Sequence, residues 1–66
     1  DKKTLKKINE LVKDIERNGV LKGIGKPEVL KNESAYSRRI DEKNRLVYRI
    51  VDDSIWIIAC KGHYEE

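Results

Sequence analysis

The sequence predicts a small α+β domain in which one helix precedes a three-stranded antiparallel sheet. Apolar residues recur at helical spacing over residues 4–18, and three runs of strand-type composition fill the second half of the chain. A chain of 66 residues makes one domain at most. We therefore expect residues 1–66 to form a single domain with a thin core.

The helix prediction depends on an apolar face and on signals at both ends. Thr4 is the predicted N-cap, and Asn18-Gly19 is the predicted stop. The lysine-rich remainder of the helix is interpreted as a solvated face, with contacts to backbone phosphates as the alternative. The apolar positions are Leu5, Ile8, Leu11, Val12 and Ile15.

Residues 19–27, GVLKGIGKP, form a predicted loop that contains three glycines and the only proline. This loop does not match a phosphate-binding P-loop. Val20 occupies the position of that motif's first glycine, and Pro27 stands where the motif has Ser or Thr. A nucleotide-binding loop of this kind is therefore excluded.

Three strands are predicted, over residues 36–41, 45–51 and 55–60, with polar turns between them. A three-residue loop, residues 42–44, sets the predicted register of the first hairpin. The predicted pairs are Asp41 with Arg45, Ile40 with Leu46, and Arg39 with Val47.

Side-chain alternation then sorts the arginines of this hairpin onto two faces. Arg39, Arg45 and Arg49 lie on one face, where Arg39 and Arg45 are diagonal neighbours within reach of a shared anion. Arg38 points to the other face, which is apolar and is expected to pack on the helix. The apolar residues of that face are Ile40, Leu46, Tyr48 and Ile50.

Two interpretations of the arginine face stay open at this point. It is either the solvated side of the sheet, with Asp41 neutralising Arg45, or a site for phosphate oxygens, which the guanidinium fork suits. The charge pattern alone does not separate them.

The last strand, IWIIAC, is apolar on both faces, and its orientation depends on the turn before it. A three-residue loop puts residues 56, 58 and 60 towards the core, whereas a two-residue loop puts residues 55, 57 and 59 there. Burial on both faces predicts that a further segment or a partner covers this strand. Cys60 is predicted to be a small buried side chain within it.

Composition limits the classes of function. The net charge of +3 permits a nucleic-acid partner without requiring one. One cysteine and one histidine cannot build a disulfide framework or, alone, a structural zinc site. There is no apolar run near 18 residues and no signal-peptide pattern, so we expect no membrane partner and a reducing, cytoplasmic setting.

Five short motifs occur in order: GKPE followed by LK, then SRRI, RLVY, DDS and a closing HY. With LKKINELVKDI, they make the chain similar to the Txe/YoeB family of bacterial toxins, in the RelE superfamily of messenger-RNA endonucleases. The resemblance covers nearly the whole chain. It implies a RelE-like fold, a small twisted antiparallel sheet with helices packed on one face.

The resemblance also implies an activity and a set of site residues. Such toxins cleave messenger RNA in the ribosomal A site and are silenced by a cognate antitoxin. Lys31 is implied to bind the substrate. By motif position, the implied catalytic residues are Glu28, Arg39, Arg45, His63 and Tyr64.

The chemistry of metal-free RNA cleavage agrees with these residue types. It needs a base for the 2′-hydroxyl, cations around the phosphorane and an acid for the leaving 5′-oxygen. Glu28 is the expected base, and His63, protonated beside RNA phosphates, is the expected acid. Tyr64 is expected to stack on a base or to position the phosphate. The products would be a 2′,3′-cyclic phosphate and a free 5′-hydroxyl, and no cofactor is required.

Partners and two departures from the family pattern follow from the same resemblance. The expected partners are a cognate antitoxin, messenger RNA and the ribosome, and a homodimer stays open.

Family members have a strand and a helix before LKKINEL and a longer stretch before SRRI, so we expect a truncated or divergent chain. The alternative function is a non-catalytic member of this fold that binds only RNA or an antitoxin.

Overall fold

One long helix and a four-stranded antiparallel sheet make up the fold. The computed structural model describes residues 2–62, with side chains described to residue 60. In chain order the elements are helix α1 (Lys2–Asn18), strand β1 (Glu28–Leu30), a 3₁₀ helix (Lys31–Glu33), and strands β2 (Ala35–Arg39), β3 (Asn44–Val51) and β4 (Ser54–Gly62).

The strands lie in the order β1-β2-β3-β4, and every neighbouring pair is antiparallel. The α+β prediction is confirmed, but β1 is a fourth strand outside the three predicted ones. Helix α1 is the single α-helix of residues 2–62. No helix in this described range is long and apolar enough to cross a membrane.

Helix α1 begins earlier than predicted and packs on the sheet through its C-terminal half. Thr4 lies inside the helix and is not its N-cap, because the helix already begins at Lys2. Gly19 ends the helix as predicted, with φ +93° and its N–H donating to the Ile15 carbonyl at 2.9 Å. Leu11 and Ile15 are buried, whereas Leu5 is 59% exposed.

The main core lies between α1 and the β2–β3 hairpin, on the face that strand alternation predicted. Leu46 and Tyr48 are fully buried there, together with Ile40. Burial of each such side chain typically contributes about 1.5–3 kcal/mol. Ile50 shares this face but is 41% exposed, because an open cavity of about 540 Å³ lies between the end of the β3–β4 hairpin and α1.

The β2–β3 hairpin corrects the predicted register. Arg45 pairs with Arg39 and not with Asp41. Asp41 Oδ1 accepts hydrogen bonds from the backbone N–H groups of Lys43 and Asn44, each at 2.8 Å, which holds Asp41 in the turn and out of the ladder. The pairing shifts by two residues, so every side chain keeps its predicted face.

The β3–β4 hairpin decides between the two open orientations of the last strand. Asp52 and Asp53 form a two-residue loop with φ +49° and +64°, as a type I′ turn requires. Ile55 therefore lies opposite Ile50 and packs against the core on the helix face. The two-residue alternative is correct for the first half of the strand.

A bulge in β4 changes which side chains of its second half point toward the helix. Val47 pairs with Ala59, whereas the next residue, Tyr48, pairs with Ile57, so residue 58 has no partner in the ladder. Ala59 consequently turns away from the helix face. It joins a second small cluster whose buried members are Leu30, Ala35 and Val47.

Strand β4 is exposed within the described residues, so its cover by a further segment or a partner stays a prediction. Trp56 is 60% exposed, Ile57 45% and Ile58 48%. Cys60 is also exposed and not buried as predicted. The reason is that β4 is the outer strand of the described sheet, with β3 as its only strand neighbour there.

A fully buried arginine joins the helix, the loop and the sheet. Arg38 has no exposed surface, and its guanidinium pairs with the Asp14 carboxylate of α1. Nη2 donates to the carbonyl oxygens of Gly19 (2.6 Å) and Lys22 (2.7 Å), and Nη1 donates to that of Ile24 (3.1 Å). Arg38 thus gathers the loop of residues 19–27 around its own side chain.

Tyr48 and Gly23 complete this network. The Tyr48 hydroxyl accepts from Arg38 Nε at 3.1 Å and donates to the Val20 carbonyl at 2.9 Å. Burial raises the pKa of Tyr48, so the hydroxyl keeps its proton at neutral pH. A Cβ at Gly23 would overlap the Asp14 carboxylate, and the backbone there has φ +113°, so the position requires glycine.

We expect the free energy of unfolding to fall in acid as Asp14 is protonated. The hydrogen bond from Arg38 lowers the pKa of Asp14 below its ordinary value of 3.8, and burial only partly opposes this. A carboxyl group with a lower pKa in the folded state stabilises the fold above its unfolded pKa and loses that contribution as pH falls through its folded pKa. Urea unfolding across a pH series should show a midpoint that declines below about pH 4.

Asp14→Asn is the comparison variant for this pH series. It should start from a lower urea midpoint at neutral pH and show a shallower acid decline, because it lacks the titrating group. An acid decline of wild-type size in Asp14→Asn would contradict the assignment.

Candidate active site

The sheet face opposite α1 carries the arginines that the sequence pattern grouped together. Arg39 and Arg45 are direct cross-strand partners, one step closer than the predicted diagonal arrangement. Like charges placed directly opposite each other are destabilising unless an anion compensates them. This part of the face is therefore suited to bind an anion such as a phosphate.

Arg45 is held by acceptors from two other elements. Its Nε donates to Ser37 Oγ on β2 at 3.0 Å, and its Nη2 donates to the Lys26 carbonyl at 2.9 Å. Ser37 is 1% exposed, and the Arg45 side chain is 18% exposed. Since these bonds already restrict the guanidinium, little further side-chain entropy is lost when it binds a phosphate.

Glu28 begins β1 beside this guanidinium. Its Oε2 lies 3.5 Å from Arg45 Nη2, and its side chain is 58% exposed. Glu28 pairs with Ser37, which pairs in turn with Val47, so the carboxylate belongs to the arginine face. An exposed ion pair of this length contributes little to stability, and the carboxylate can leave it for a substrate hydroxyl.

The interpretation in which Asp41 neutralises Arg45 is wrong. The Asp41 carboxylate accepts hydrogen bonds from the Asn44 side chain and from two backbone N–H groups of its own turn. The Asn44 side chain is the main reason why the pKa of Asp41 is lowered. The carboxylate that pairs with Arg45 is Glu28, which the sequence places seventeen positions earlier.

The loop of residues 19–27 brings the Lys26 carbonyl to Arg45. The Gly25 carbonyl accepts the Arg39 backbone N–H at 2.6 Å, which docks the end of the loop on β2. Gly25 has φ +82°, and a Cβ there would lie 2.9 Å from the Leu11 side chain. Glycine suits this position, because another residue would be strained at this φ and would crowd the Leu11 side chain.

Lys31 and Arg49 lie farther from this group. Lys31 is exposed in the 3₁₀ helix that follows β1, and no hydrogen bond or ion pair among residues 2–60 joins it to Glu28 or Arg45. Arg49 is exposed and donates from Nη2 to the Glu33 carbonyl at 2.9 Å. The structure thus gives Arg49 a backbone contact and leaves Lys31 at the margin of the site.

His63 and Tyr64, the predicted acid and its aromatic neighbour, lie outside the described residues. The strand that leads to them ends at Gly62, which pairs with Asn44, the residue before Arg45. Their roles stay predictions.

Sequence reasoning did not identify Ser37 as a site residue. A single serine in a predicted strand carries no signal of its own, because its role depends on which guanidinium lies across the sheet. The SRRI motif contains it, and its cross-strand pairing with β3 supplies its partner.

Comparisons with known proteins agree with the fold and the motifs. Residues 1–64 match the family model of the YoeB-like toxin of bacterial type II toxin–antitoxin systems. The chain is 53% identical over 66 residues to toxin YoeB of Escherichia coli K12, covering 97% of this chain and 77% of that protein.

Two solved structures from Staphylococcus aureus have a similar fold, the heterotetrameric YoeB–YefM toxin–antitoxin complex and a YoeB dimer. Each has a TM-score of 0.88 and 59% sequence identity, covering 97% of this chain and 76% of the other. With the family model, these likenesses show that the chain belongs to the YoeB-like toxins of bacterial type II toxin–antitoxin systems.

Proposed function

We propose that this toxin is an endoribonuclease that cleaves messenger RNA in the ribosomal A site and so inhibits translation. The observation that carries the proposal is the group on the open sheet face: Arg45 fixed by Ser37 and Lys26, Glu28 at 3.5 Å, and Arg39 directly across the ladder. Family membership supports the same activity.

Each residue has a role in a reaction that needs no metal. Glu28 takes the proton of the 2′-hydroxyl, whose oxygen forms a bond to the phosphorus. Arg39 and Arg45 stabilise the charge on the phosphorane, where one preorganised donor is typically worth about 3 kcal/mol. The bond from phosphorus to the 5′-oxygen breaks as His63 donates a proton to that oxygen. Lys31 binds the RNA backbone beyond this centre.

The products are a 2′,3′-cyclic phosphate and a 5′-hydroxyl, and Tyr64 stacks on a base or positions the phosphate. Glu28 must leave its pair with Arg45 during this reaction. It can do so at low cost, because it is 58% exposed and Arg45 keeps its other two hydrogen bonds.

The proposal includes the cellular setting and the protein partners. The protein acts in the cytoplasm, as a single domain, on ribosome-bound message. The YoeB–YefM complex from S. aureus supports a cognate antitoxin as its inhibitor, and the YoeB dimer from the same organism supports self-association.

Primer extension on a translated message tests the activity. Wild-type protein should produce cuts within codons on ribosomes and none on the same message without ribosomes, and the upstream fragments should carry a cyclic phosphate. His63→Ala should lower the cleavage rate by about two to four orders of magnitude, as loss of a general acid does. Equal cutting by His63→Ala would remove the general-acid role, and an inactive wild type would favour a member of this fold that only binds RNA or antitoxin.

A further inference from the structure

An exposed tryptophan lies on the same sheet face as the candidate active site. Trp56 pairs with Arg49 in the β3–β4 ladder, and Arg49 shares its face of β3 with Arg45. At 60%, Trp56 is the most exposed of the large hydrophobic side chains in the described chain. Tryptophan side chains are highly buried on average, so an open indole at this position calls for a ligand.

Two arginines lie between this indole and the active site or within it. Arg49 lies next to Trp56, and Arg45 lies four residues farther along β3, about 13 Å away at the usual rise of a strand. The acidic residues that border this region are Asp52 and Asp53, beyond Trp56 in the hairpin turn, and Glu33, whose carbonyl accepts from Arg49. A polyanion leaving the active site toward β4 would therefore pass from one arginine to the next.

The exposed apolar side chains near Trp56 are divided between the two faces of the sheet. Ile57 lies on the helix face, and Ile58 lies at the bulge. Val51, near the turn, and Ile58, two residues after Trp56, are further exposed large apolar side chains beside it. Stable protein interfaces bury about 800 Å² on each partner with an apolar centre. A flat aromatic ring beside an arginine is the arrangement that stacks the bases of single-stranded RNA.

We propose that Trp56, with Arg49, forms a nucleotide-binding subsite, in which the indole stacks on a base of the RNA strand whose phosphate is held at Arg45. This inference rests on the proposed function, because the phosphate at Arg45 sets the position of the strand. Arg49 contacts the backbone of the same strand, and its bond to the Glu33 carbonyl holds its guanidinium over the face.

Trp56 is the only tryptophan in the 66-residue sequence, so its fluorescence reports directly on stacking. Titration of the full protein with a 2′-O-methylated tetranucleotide, which cannot be cleaved, should quench the emission to saturation. Trp56→Leu should bind a labelled form of this oligonucleotide about tenfold more weakly, the effect typical of losing one stacked base. Trp56→Phe should recover most of the affinity, because the aromatic ring and not the bulk of the side chain makes the contact.

Leu5→Ala is the matched control, since Leu5 is 59% exposed but lies on α1. It should bind the oligonucleotide as the wild type does. Thermal unfolding of each variant separates lost stacking from lost folding. Absence of quenching, or equal affinity for Trp56→Leu and wild type, would overturn the subsite. Weaker antitoxin binding by Trp56→Leu with unchanged RNA affinity would also overturn it and assign the indole to a protein partner.

The two proposals fail separately. Message cleavage by the wild type without quenching leaves the nuclease standing and removes the subsite. If the oligonucleotide quenches Trp56 in the wild type and Trp56→Phe recovers the affinity, but the wild type does not cleave message, the subsite stands and the nuclease does not.

Discussion

Replacing Glu28 by glutamine is expected to lower message cleavage by about two to four orders of magnitude, because an amide cannot take the proton of the 2′-hydroxyl. Folding should change little, since the carboxylate is 58% exposed and glutamine keeps an acceptor for Arg45. Single-turnover cleavage on programmed ribosomes measures the first effect, and urea unfolding measures the second.

Glu10→Gln is the matched control for this variant, because Glu10 is an exposed glutamate on α1, remote from the arginine face. It should cleave like the wild type. Ribosome binding by Glu28→Gln, measured by sedimentation, should also match the wild type. Cleavage by Glu28→Gln within a few-fold of wild type would show that another group is the base.

Replacing Arg38 by methionine is expected to remove a large part of the protein's stability at neutral pH. Removal of one partner of a buried ion pair typically costs about 3–5 kcal/mol. The variant removes the guanidinium that donates to the Asp14 carboxylate and to the carbonyls of three loop residues. At about 0.05–0.15 kcal/mol per residue, a chain of 66 residues has only about 3–10 kcal/mol of stability to lose.

Arg49→Met provides the matched arginine control. Arg49 is exposed and donates to one carbonyl in the structure, so its replacement should shift the urea midpoint only slightly. Asp14→Asn combined with Arg38→Met should be less destabilised than the sum of the single variants, because the pair is broken only once. An Arg38→Met protein with the wild-type urea midpoint would contradict the structural role.

The loop of residues 19–27 connects the stability of the fold to the site. Its carbonyl groups at positions 19, 22 and 24 accept from the Arg38 side chain, the one at 25 accepts from the Arg39 backbone, and the one at 26 accepts from Arg45. A loop without regular structure is thus held by hydrogen bonds to two neighbouring strands. Disturbing Arg38 should therefore also loosen the acceptor that orients Arg45.

The faces of Arg39 and Arg45 were predictable although their register was not. Side chains alternate between the two faces with a period of two. The observed pairing differs from the predicted one by two residues, so each side chain still lies on its predicted face. The ordered motifs likewise sufficed to identify the family, which the family model confirms. Glu28 was placed in the site by motif position alone, and its ion pair with Arg45 is consistent with that placement.

Bulges and turn ends were not predictable, because they depend on single side chains. Asp41 keeps itself out of the ladder through its own hydrogen bonds, and the bulge at residue 58 turns Ala59 to the opposite face. The exposure of β4 depends on which elements pack beside it, and no periodicity in IWIIAC contains that information. Cys60 was misplaced for the same reason.

By itself, the sequence determined the family, the α+β class, and the side of the sheet on which Arg39 and Arg45 lie. These depend on the order of short motifs along the chain and on the spacing of apolar residues in helices and strands. Only the tertiary structure supplied the partners of the buried Arg38, which are the Asp14 carboxylate and three loop carbonyls. It also supplied Ser37 and the Lys26 carbonyl as the groups that hold Arg45. These partners come from elements distant in the chain, and hydrogen bonds between such elements exist only once the chain has folded.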